Sequence, residues 1–447
     1  MTAPIETSTI YALSSGRGRA GVAVIRLSGP KARAALEALA GPAPDVRRAT
    51  VRKIIDPDSG ELLDEALVLL FDAPFSFTGE DIVELHIHGG PAVLEGVLGA
   101  LGSISGLRGA EPGEFARRAF ENNRLDLTQA EGLADLIEAE TQAQRRQALR
   151  QSSGSLRALC DDWRENIIHG LSLVEAALDF SDEADVSELV GSQARGVIEE
   201  LHSSLVNHVE SADRGERLRD GLQVVLAGAP NAGKSSLLNA LAARDVAIVS
   251  SEPGTTRDMI EVHLDLGGYP VTLVDTAGLR EARGQVELEG MRRTRSRAST
   301  ADIVLWLVDG CEPQWKPPEG LIDGSATLIT ILNKIDLRRP DTGLPENVMM
   351  ISATKNEGLG ELIDELAKQA AASMEAGEPA VVTRARQRIE LETCRDALHS
   401  FLEGDINELE LRAEDLRVAA HALGRLSGRV DVEDVLDRIF GDFCIGK

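Results

Sequence analysis

The stretch that most constrains this chain is GAPNAGKS at residues 228–235, set between an apolar run at 222–227 and the helix-like SLLNALAAR. A strand that turns through glycines into a helix leaves several backbone N–H groups aimed at one spot. The positive end of the helix dipole lies behind them, so the turn cradles phosphate. Glycines and Lys-Ser at this spacing, in a strand–loop–helix context, mark the phosphate loop of a nucleotide-binding α/β domain. Parallel strands with crossover helices must then surround it. Asn231, Ala232, Gly233, Lys234, Ser235 and Ser236 are the expected contacts. Lys234 is expected on the β- and γ-phosphates, and the Ser235 hydroxyl on Mg²⁺.

Four further motifs follow in order. Ser250, Ser251, Glu252 and Pro253 lead into Gly254-Thr255-Thr256-Arg257-Asp258, a polar switch-like loop whose Thr256 completes the Mg²⁺ shell. A strand at 271–274 runs into Asp275-Thr276-Ala277-Gly278, with Asp275 toward the metal and the Gly278 N–H toward the γ-phosphate. Buried strands are expected at 303–308 and 327–332, the second ending in Asn333-Lys334-Ile335-Asp336. A carboxylate at Asp336 accepts from both edge N–H groups of guanine, a donor pair adenine lacks, so the nucleotide is GTP. Ser352-Ala353-Thr354 matches the loop that backs the base.

The hydrolytic residues are less ordinary. Leu279 stands where many GTPases place a water-orienting Gln. Asn231 offers a carbonyl oxygen for a monovalent cation where an arginine finger would otherwise act. Glu287, in GLREARGQVELEG, is a candidate to orient water. On the residues alone it reads more simply as a solvated carboxylate at a helix start.

The 447 residues leave room for about three domains. Residues 1 to about 120 alternate β-rich runs (9–13, 22–27, 66–71, 82–87) with helical patterns at 31–39 and 93–101. From about 125 to 213, Leu156, Leu159, Trp163, Ile167, Leu171, Val174 and Leu178 recur at helical spacing, as a core stripe. Strand–helix alternation occupies 222–370, and helix returns from about 382. A helical domain in two segments, with an α/β unit inserted, accounts for this order.

The net charge of −26 argues against a protein that coats nucleic acid or anionic membrane through bulk charge. Arg292, Arg293, Arg295 and Arg297 form one local basic cluster, and Arg384, Arg386 and Arg388 another; such runs are usually solvated faces. Cys160, Cys311, Cys394 and Cys444 have no paired spacing, so neither a disulfide framework nor a cysteine zinc site is expected. With no basic-then-apolar start and no apolar run of membrane-spanning length, a cytoplasmic location without membrane attachment is expected.

Taken with NAGKSSLLNAL, four segments carry a resemblance: TIYALSSGRGRAGVAVIRLSG, FSFTGEDIVELHIHGGP, PGEFARRAFENNRLDLTQAEGLADLIEAET and the terminal FCIGK. The chain resembles, over essentially its whole length, the MnmE (TrmE) family of tRNA modification GTPases. The resemblance implies a multidomain α/β plus all-α architecture. An N-terminal α+β folate-binding and dimerisation domain would occupy 1–122. A discontinuous helical domain would follow at 123–215 and 379–447, the second segment carrying FCIGK. A Ras-like P-loop G domain with a mostly parallel sheet would lie between, at 216–378.

It also implies a homodimer that works with the FAD-dependent protein MnmG in a heterotetramer or larger complex. Their substrate would be tRNA, which gains an aminomethyl or carboxymethylaminomethyl group at C5 of the wobble uridine. The one-carbon unit would come from a reduced folate, 5-formyl- or 5,10-methylene-tetrahydrofolate. By the same resemblance Ser235 and Thr256 match Mg²⁺ ligands. Asn231, the backbone carbonyls of Ser250 and Glu252, and Thr255 match K⁺ ligands, and Glu287 matches a water-orienting glutamate.

Arg26, Glu84, Arg124 and Lys447 match folate contacts. Arg124 stands in RLDL where KLDL is frequent, and SSGRGRAG replaces a PPGRGG-like stretch. Cys444 is read either as an activated, catalytic thiol near the folate or as a small buried apolar residue. His86 and His88 share one strand face and suggest packing or a polar pocket wall. Two other classes fit parts of the chain: a GTP-switched binding module, and a folate-dependent one-carbon transferase for another substrate.

Overall fold

A computed structural model describes residues 8–179, 184–244, 246–248, 261–275, 301–318, 321, 326–339, 344–345, 347–375, 380–405, 408–430, 433–441 and 443–446. The chain divides into two compact units: Met1–Ala134 with Leu423–Lys447, and Asp135–Ala422.

The first unit is built on a six-stranded sheet of β1 (Thr9–Leu13), β2 (Ala20–Ser28), β3 (Thr50–Ile55), β4 (Leu62–Phe71), β5 (Ile82–Gly89) and β6 (Leu107–Gly109). Its order is β3-β4-β5-β2-β1-β6, antiparallel except for β1 with β6. Period-two alternation turns Ala23, Ile25 and Leu27 of β2 to the same core as Val68 and Leu70 of β4 and Leu85 and Ile87 of β5. That core is closed by α1 (Ala32–Ala40) and by α2 (Pro91–Ser103), which starts with proline in its first turn. Ile10 and Ala12 of β1 instead meet Phe115 of α3 (Glu114–Glu121).

Leu436, Ile439 and Phe440 of the late helix Glu433–Gly441, together with Phe443, pack on Ala116, Leu127 and Ala130. The segment 423–446, read above with the second helical stretch, thus packs among the N-terminal residues. Ile445 makes a bridge to Pro112, and Ser14 Oγ donates to the Gly446 carbonyl at 2.8 Å.

In the second unit a helical part comprises α5 (Gln142–Ser152), α6 (Ser155–Asp179), α7 (Ala184–Glu210) and α8 (Ala212–Asp220), after α4 (Leu127–Glu138). Thr141 and Gln144 form a reciprocal capping box that starts α5. The α6 stripe buries Leu156, Trp163, Ile167 and Val174 as the periodicity predicts. Its other buried positions are Cys160, Gly170 and Ala177 rather than Leu159, Leu171 and Leu178, which are half-buried. Close helix approach explains Gly170: a Cβ there would lie 2.9 Å from Ile198 Cδ1 of α7. Among the described residues no helix is long and apolar enough to cross a membrane.

The second sheet contains β7 (Leu222–Gly228), β8 (Glu261–Leu266), β9 (Tyr269–Asp275), β10 (Ile303–Asp309), β11 (Thr327–Asn333) and β12 (Val348–Met350). The order is β12-β11-β10-β7-β9-β8, parallel except for β8. Leu237, Leu238 and Leu241 of α9 (Lys234–Ala242) and Leu359, Leu362 and Leu366 of α10 (Leu359–Met374) share its core. Helices α11 (Ala385–Glu403) and α12 (Leu409–Ser427) follow. Flanked by β9 and β10, β7 opens a crevice at its carboxyl end, where ligands of open parallel sheets bind.

Candidate functional site

The phosphate loop leaves β7 at Gly228 and enters α9 at Lys234. Two residues give it its curvature: Asn231 (φ 63°) and Gly233 (φ 97°) both adopt left-handed backbone. A side chain at position 233 would also run into Asn333 Nδ2. Lys234 folds back over the loop, its Nζ donating to the carbonyls of Gly228 (2.9 Å) and Ala229 (3.0 Å). Burial pushes the Lys234 ammonium below its ordinary pKa, with Asp275 opposing. A bound phosphate would take over the role of those two carbonyls. Ser235 Oγ donates to Asp275 Oδ2 at 3.0 Å, and Asp275 is buried at the end of β9. A hydroxyl and a carboxylate side by side are the hard oxygen donors that Mg²⁺ takes, so the residues present fit that ion. Asn231 is exposed, and among the described residues its side chain makes no hydrogen bond.

On the other flank, the buried Asn333 donates from Nδ2 to the Ala232 carbonyl at 2.9 Å and accepts from the Ala353 N–H at 3.1 Å. The Lys334 backbone is left-handed (φ 67°), and its ammonium meets Asp309 Oδ2 at 2.7 Å. Burial raises the Asp309 pKa, but hydrogen bonds from Lys334 and the Cys311 N–H outweigh it, and the carboxyl sits below its ordinary value. Asp336 is exposed at this edge. Ser352 Oγ donates to its Oδ1 at 2.6 Å, and Thr354 Oγ1 reaches Oδ2 at 3.5 Å. The carboxylate is thereby oriented while its outer lone pairs remain available to a base.

The sheet thus collects Asn231, Ala232, Gly233, Lys234, Ser235, Ser236, Asp275, Asn333, Lys334, Asp336, Ser352, Ala353 and Thr354 at the carboxyl ends of β7, β9, β11 and β12. Ser250, Ser251, Glu252, Pro253, Gly254, Thr255, Thr256, Thr276, Ala277, Gly278 and Glu287 lie outside the described residues, as do Lys447 and the cluster Arg292–Arg297. Asp309 was not singled out from sequence. A terminal Asp on the apolar run IVLWLVD was the signal available.

A second cluster lies in the first unit. Arg26 and Glu84 are cross-strand partners on β2 and β5. Arg26 Nη2 donates to Glu84 Oε1 at 2.9 Å, and its guanidinium lies 5.5 Å and 5.9 Å from the ring centroids of Phe77 and Phe115. His86 Nε2 lies 3.3 Å from Glu84 Oε2, whereas His88 turns to Asp64 at 2.8 Å, so the two histidines do not converge. Arg124 packs beside Gly79, its Cγ 3.3 Å from where a Cβ on that glycine would stand. The terminal segment reaches the same sheet. Gly446 has left-handed backbone (φ 98°), and a Cβ there would run into the Leu13 carbonyl, leaving no room for a side chain. Cys444 is exposed, which removes the reading of a small buried apolar residue.

The cluster Arg384–Arg386–Arg388 is largely neutralised within its own unit. Arg384 Nη2 meets Asp135 Oδ1 at 2.6 Å, and Arg388 Nε meets Glu216 Oε1 at 2.9 Å.

Comparison with known proteins adds the following. The family model described as GTP-binding protein TrmE N-terminus matches residues 9–124, and the MnmE helical domain model matches 127–444. A tRNA modification GTPase MnmE of Parvibaculum lavamentivorans is 51% identical over 448 residues, covering 98% of this chain and 100% of its own. The Rhodospirillum rubrum protein of the same name is 52% identical over 458 residues, covering 99% and 100%. A human mitochondrial protein, 5-taurinomethyluridine-[tRNA] synthase subunit GTPB3, is 48% identical over 467 residues, covering 100% of this chain and 94% of its own.

Proposed function

Because the chain belongs to the MnmE family of tRNA modification GTPases and is a GTP hydrolase of tRNA modification, we propose that it couples GTP turnover to one-carbon chemistry at C5 of the tRNA wobble uridine. The name of the human relative, with its 5-substituted uridine in tRNA, supports that target. The product would carry an aminomethyl or carboxymethylaminomethyl group. The observation that carries the reading is the presence, in one chain, of an oriented guanine-side carboxylate at Asp336 and a separate cradle where Arg26, Glu84 and the terminal segment meet one sheet.

At the nucleotide site, Lys234 exchanges loop carbonyls for phosphate oxygens, and Asp336 accepts from the guanine edge. Mg²⁺, held by Ser235 and Thr256, would neutralise phosphate charge. Leu279 cannot hydrogen-bond water, so Glu287 orients the nucleophile in this reading, holding its proton side toward the carboxylate. K⁺ would sit at Asn231, Ser250, Glu252 and Thr255. The outward, unengaged carboxamide of Asn231 favours that role.

In the first unit, Arg26, Glu84, Arg124 and Lys447 would contact a reduced folate, 5-formyl- or 5,10-methylene-tetrahydrofolate, with the paired Arg26 and Glu84 meeting the same part of it. Cys444, exposed on the terminal segment, is the thiol nearest this chemistry in sequence. The working assembly in this reading is a cytoplasmic homodimer joined to the FAD-dependent MnmG in a heterotetramer or larger complex. That partner contributes much of the tRNA surface, since the net charge of this chain is −26.

The test is GTP turnover in KCl and in NaCl at equal ionic strength, with Glu287→Ala alongside, and nucleoside analysis of tRNA from a deletion strain. Strong stimulation by K⁺ that the variant loses, with hypomodified wobble uridine in the deletion, is the expected result. Equal rates in both salts would remove the cation-dependent step. Normal wobble uridine in the deletion strain would remove the target.

A further inference from the structure

Arginines of the second unit are commonly neutralised at home: Arg157 by Asp161, Arg217 by Asp302, Arg219 by Asp135, Arg388 by Glu216. Three of those that depart from this pattern stand together. Arg146 and Arg150 of α5 and Arg214 of α8 line one cavity of about 390 Å³. Among the described residues no hydrogen bond or ion pair engages any of the three guanidinium groups. In a chain carrying 73 Asp and Glu against 47 Lys and Arg, carboxylates were abundant partners.

The convergence is built rather than incidental. Arg146 and Arg150 stand four residues apart, on the same face of α5, where like charges repel. Arg214 joins them from a second helix, and the two helices are tied together. Buried Gln147 donates to the Gly215 carbonyl at 3.1 Å, and Gln144 donates to the Arg219 carbonyl at 2.9 Å. The three cations therefore cannot separate by sliding one helix past the other.

The rest of the lining is apolar at Ala143, Leu218, Met374 and Ala380, and Tyr269 supplies a ring. Glu375 is the one carboxylate on that wall among the described residues, and it accepts from the Tyr269 hydroxyl. Guanidinium groups sharing one cavity with apolar and aromatic side chains suit a phosphate polyanion that also offers sugar and base surface.

We propose that this cavity docks the phosphate backbone of the substrate tRNA. The proposal rests on the tRNA-modification reading and names where this chain touches the RNA. A negatively charged surface repels RNA elsewhere, so one un-neutralised cationic recess also fixes the direction of approach. The same chemistry would take a free oligophosphate, and the experiment separates the two.

Full-length protein carrying Arg146→Gln, Arg150→Gln and Arg214→Gln together is compared with wild type and with the triple Lys variant. Binding of fluorescently labelled tRNA is followed by anisotropy from 50 to 250 mM KCl, with GTP turnover as the check on folding. The expected result is roughly tenfold or greater loss of affinity at low salt and a log–log salt slope shallower by about 2–3, from roughly 0.7–0.9 per phosphate contact. GTP turnover stays unchanged, and the Lys variant recovers most of the binding.

Equal affinities and slopes for wild type and the Gln variant would overturn the proposal, as would a wild type that binds no tRNA at 50 mM salt. Inorganic tripolyphosphate that binds as tightly as tRNA, and only to wild type, would reassign the cavity to small anions. Wobble-uridine analysis separates this failure from that of the function: hypomodification in the deletion but not in the Gln variant leaves the function standing and removes the docking site.

Discussion

The side-chain amide of Asn333 donates to the backbone carbonyl of Ala232 at 2.9 Å, joining the loop after β11 to the phosphate loop after β7. Its oxygen accepts from Ala353, so one buried amide links three loops. Asn333→Ala leaves a carbonyl and an N–H without partners, a loss of about 1–3 kcal/mol. The expected outcome is roughly 10- to 100-fold weaker binding of fluorescent GDP, carried mostly by faster dissociation in stopped flow.

In the proposed reading Asp336 selects the base. Its carboxylate is oriented by Ser352 and would accept two N–H groups from guanine. In Asp336→Asn one edge becomes a donor, which suits xanthine, whose 2-position carries a carbonyl. Turnover should move from GTP to XTP, with the kcat/KM ratio for the two nucleotides inverted and kcat with XTP near the wild-type value with GTP.

The cysteines divide by exposure. Cys444 and Cys311 are exposed, whereas Cys160 and Cys394 are buried. Burial pushes the Cys394 thiol up to about 12, so its thiolate is scarce near neutral pH. A water-soluble maleimide under native conditions should label two thiols per chain, and urea should release the other two. Peptide mapping that finds Cys394 labelled in the native protein would contradict the packing of α11.

Glu114 ties β6 to α3. Burial alone would raise its pKa, but hydrogen bonds from Arg108, the Glu111 N–H and Arg118 outweigh it and hold the carboxyl below its ordinary 4.5. A depressed carboxyl stabilises the fold fully above its unfolded value, and the contribution is lost as pH falls through the folded one. Hydrogen exchange of β1, β6 and α3, corrected for intrinsic rates, should therefore quicken as pH drops below about 4.5. Glu114→Gln should flatten that dependence while lowering protection near neutrality.

Phosphate and guanine chemistry demand particular residues at set distances from a strand end, and that is why Lys234, Ser235, Asp275, Asn333 and Asp336 were legible without coordinates. Long-range partners were not. Nothing local to Arg384 announces Asp135, and nothing near Arg150 announces Arg214 across the cavity. The α6 stripe was legible at Leu156, Trp163, Ile167 and Val174 but not at Cys160, Gly170 and Ala177, because periodicity counts large apolar residues while close packing against α7 selects Gly170. The destination of Phe443 and Gly446 was hidden too: a five-residue terminal motif has no period to show which sheet it meets.

Helices α3 and α4, which follow the first sheet, receive their last packing partners, Leu436, Phe440 and Phe443, from the far end of the message. At about 5–20 residues per second, the ribosome needs on the order of 15 to 60 s to cover the stretch between Ala134 and Leu423. During that interval the nascent first unit holds Ala116, Leu127 and Ala130 without their cover. A messenger truncated after the nucleotide-binding part would therefore yield a chain with an intact GTP site and, in its first unit, an unsealed apolar face, a natural client for chaperones.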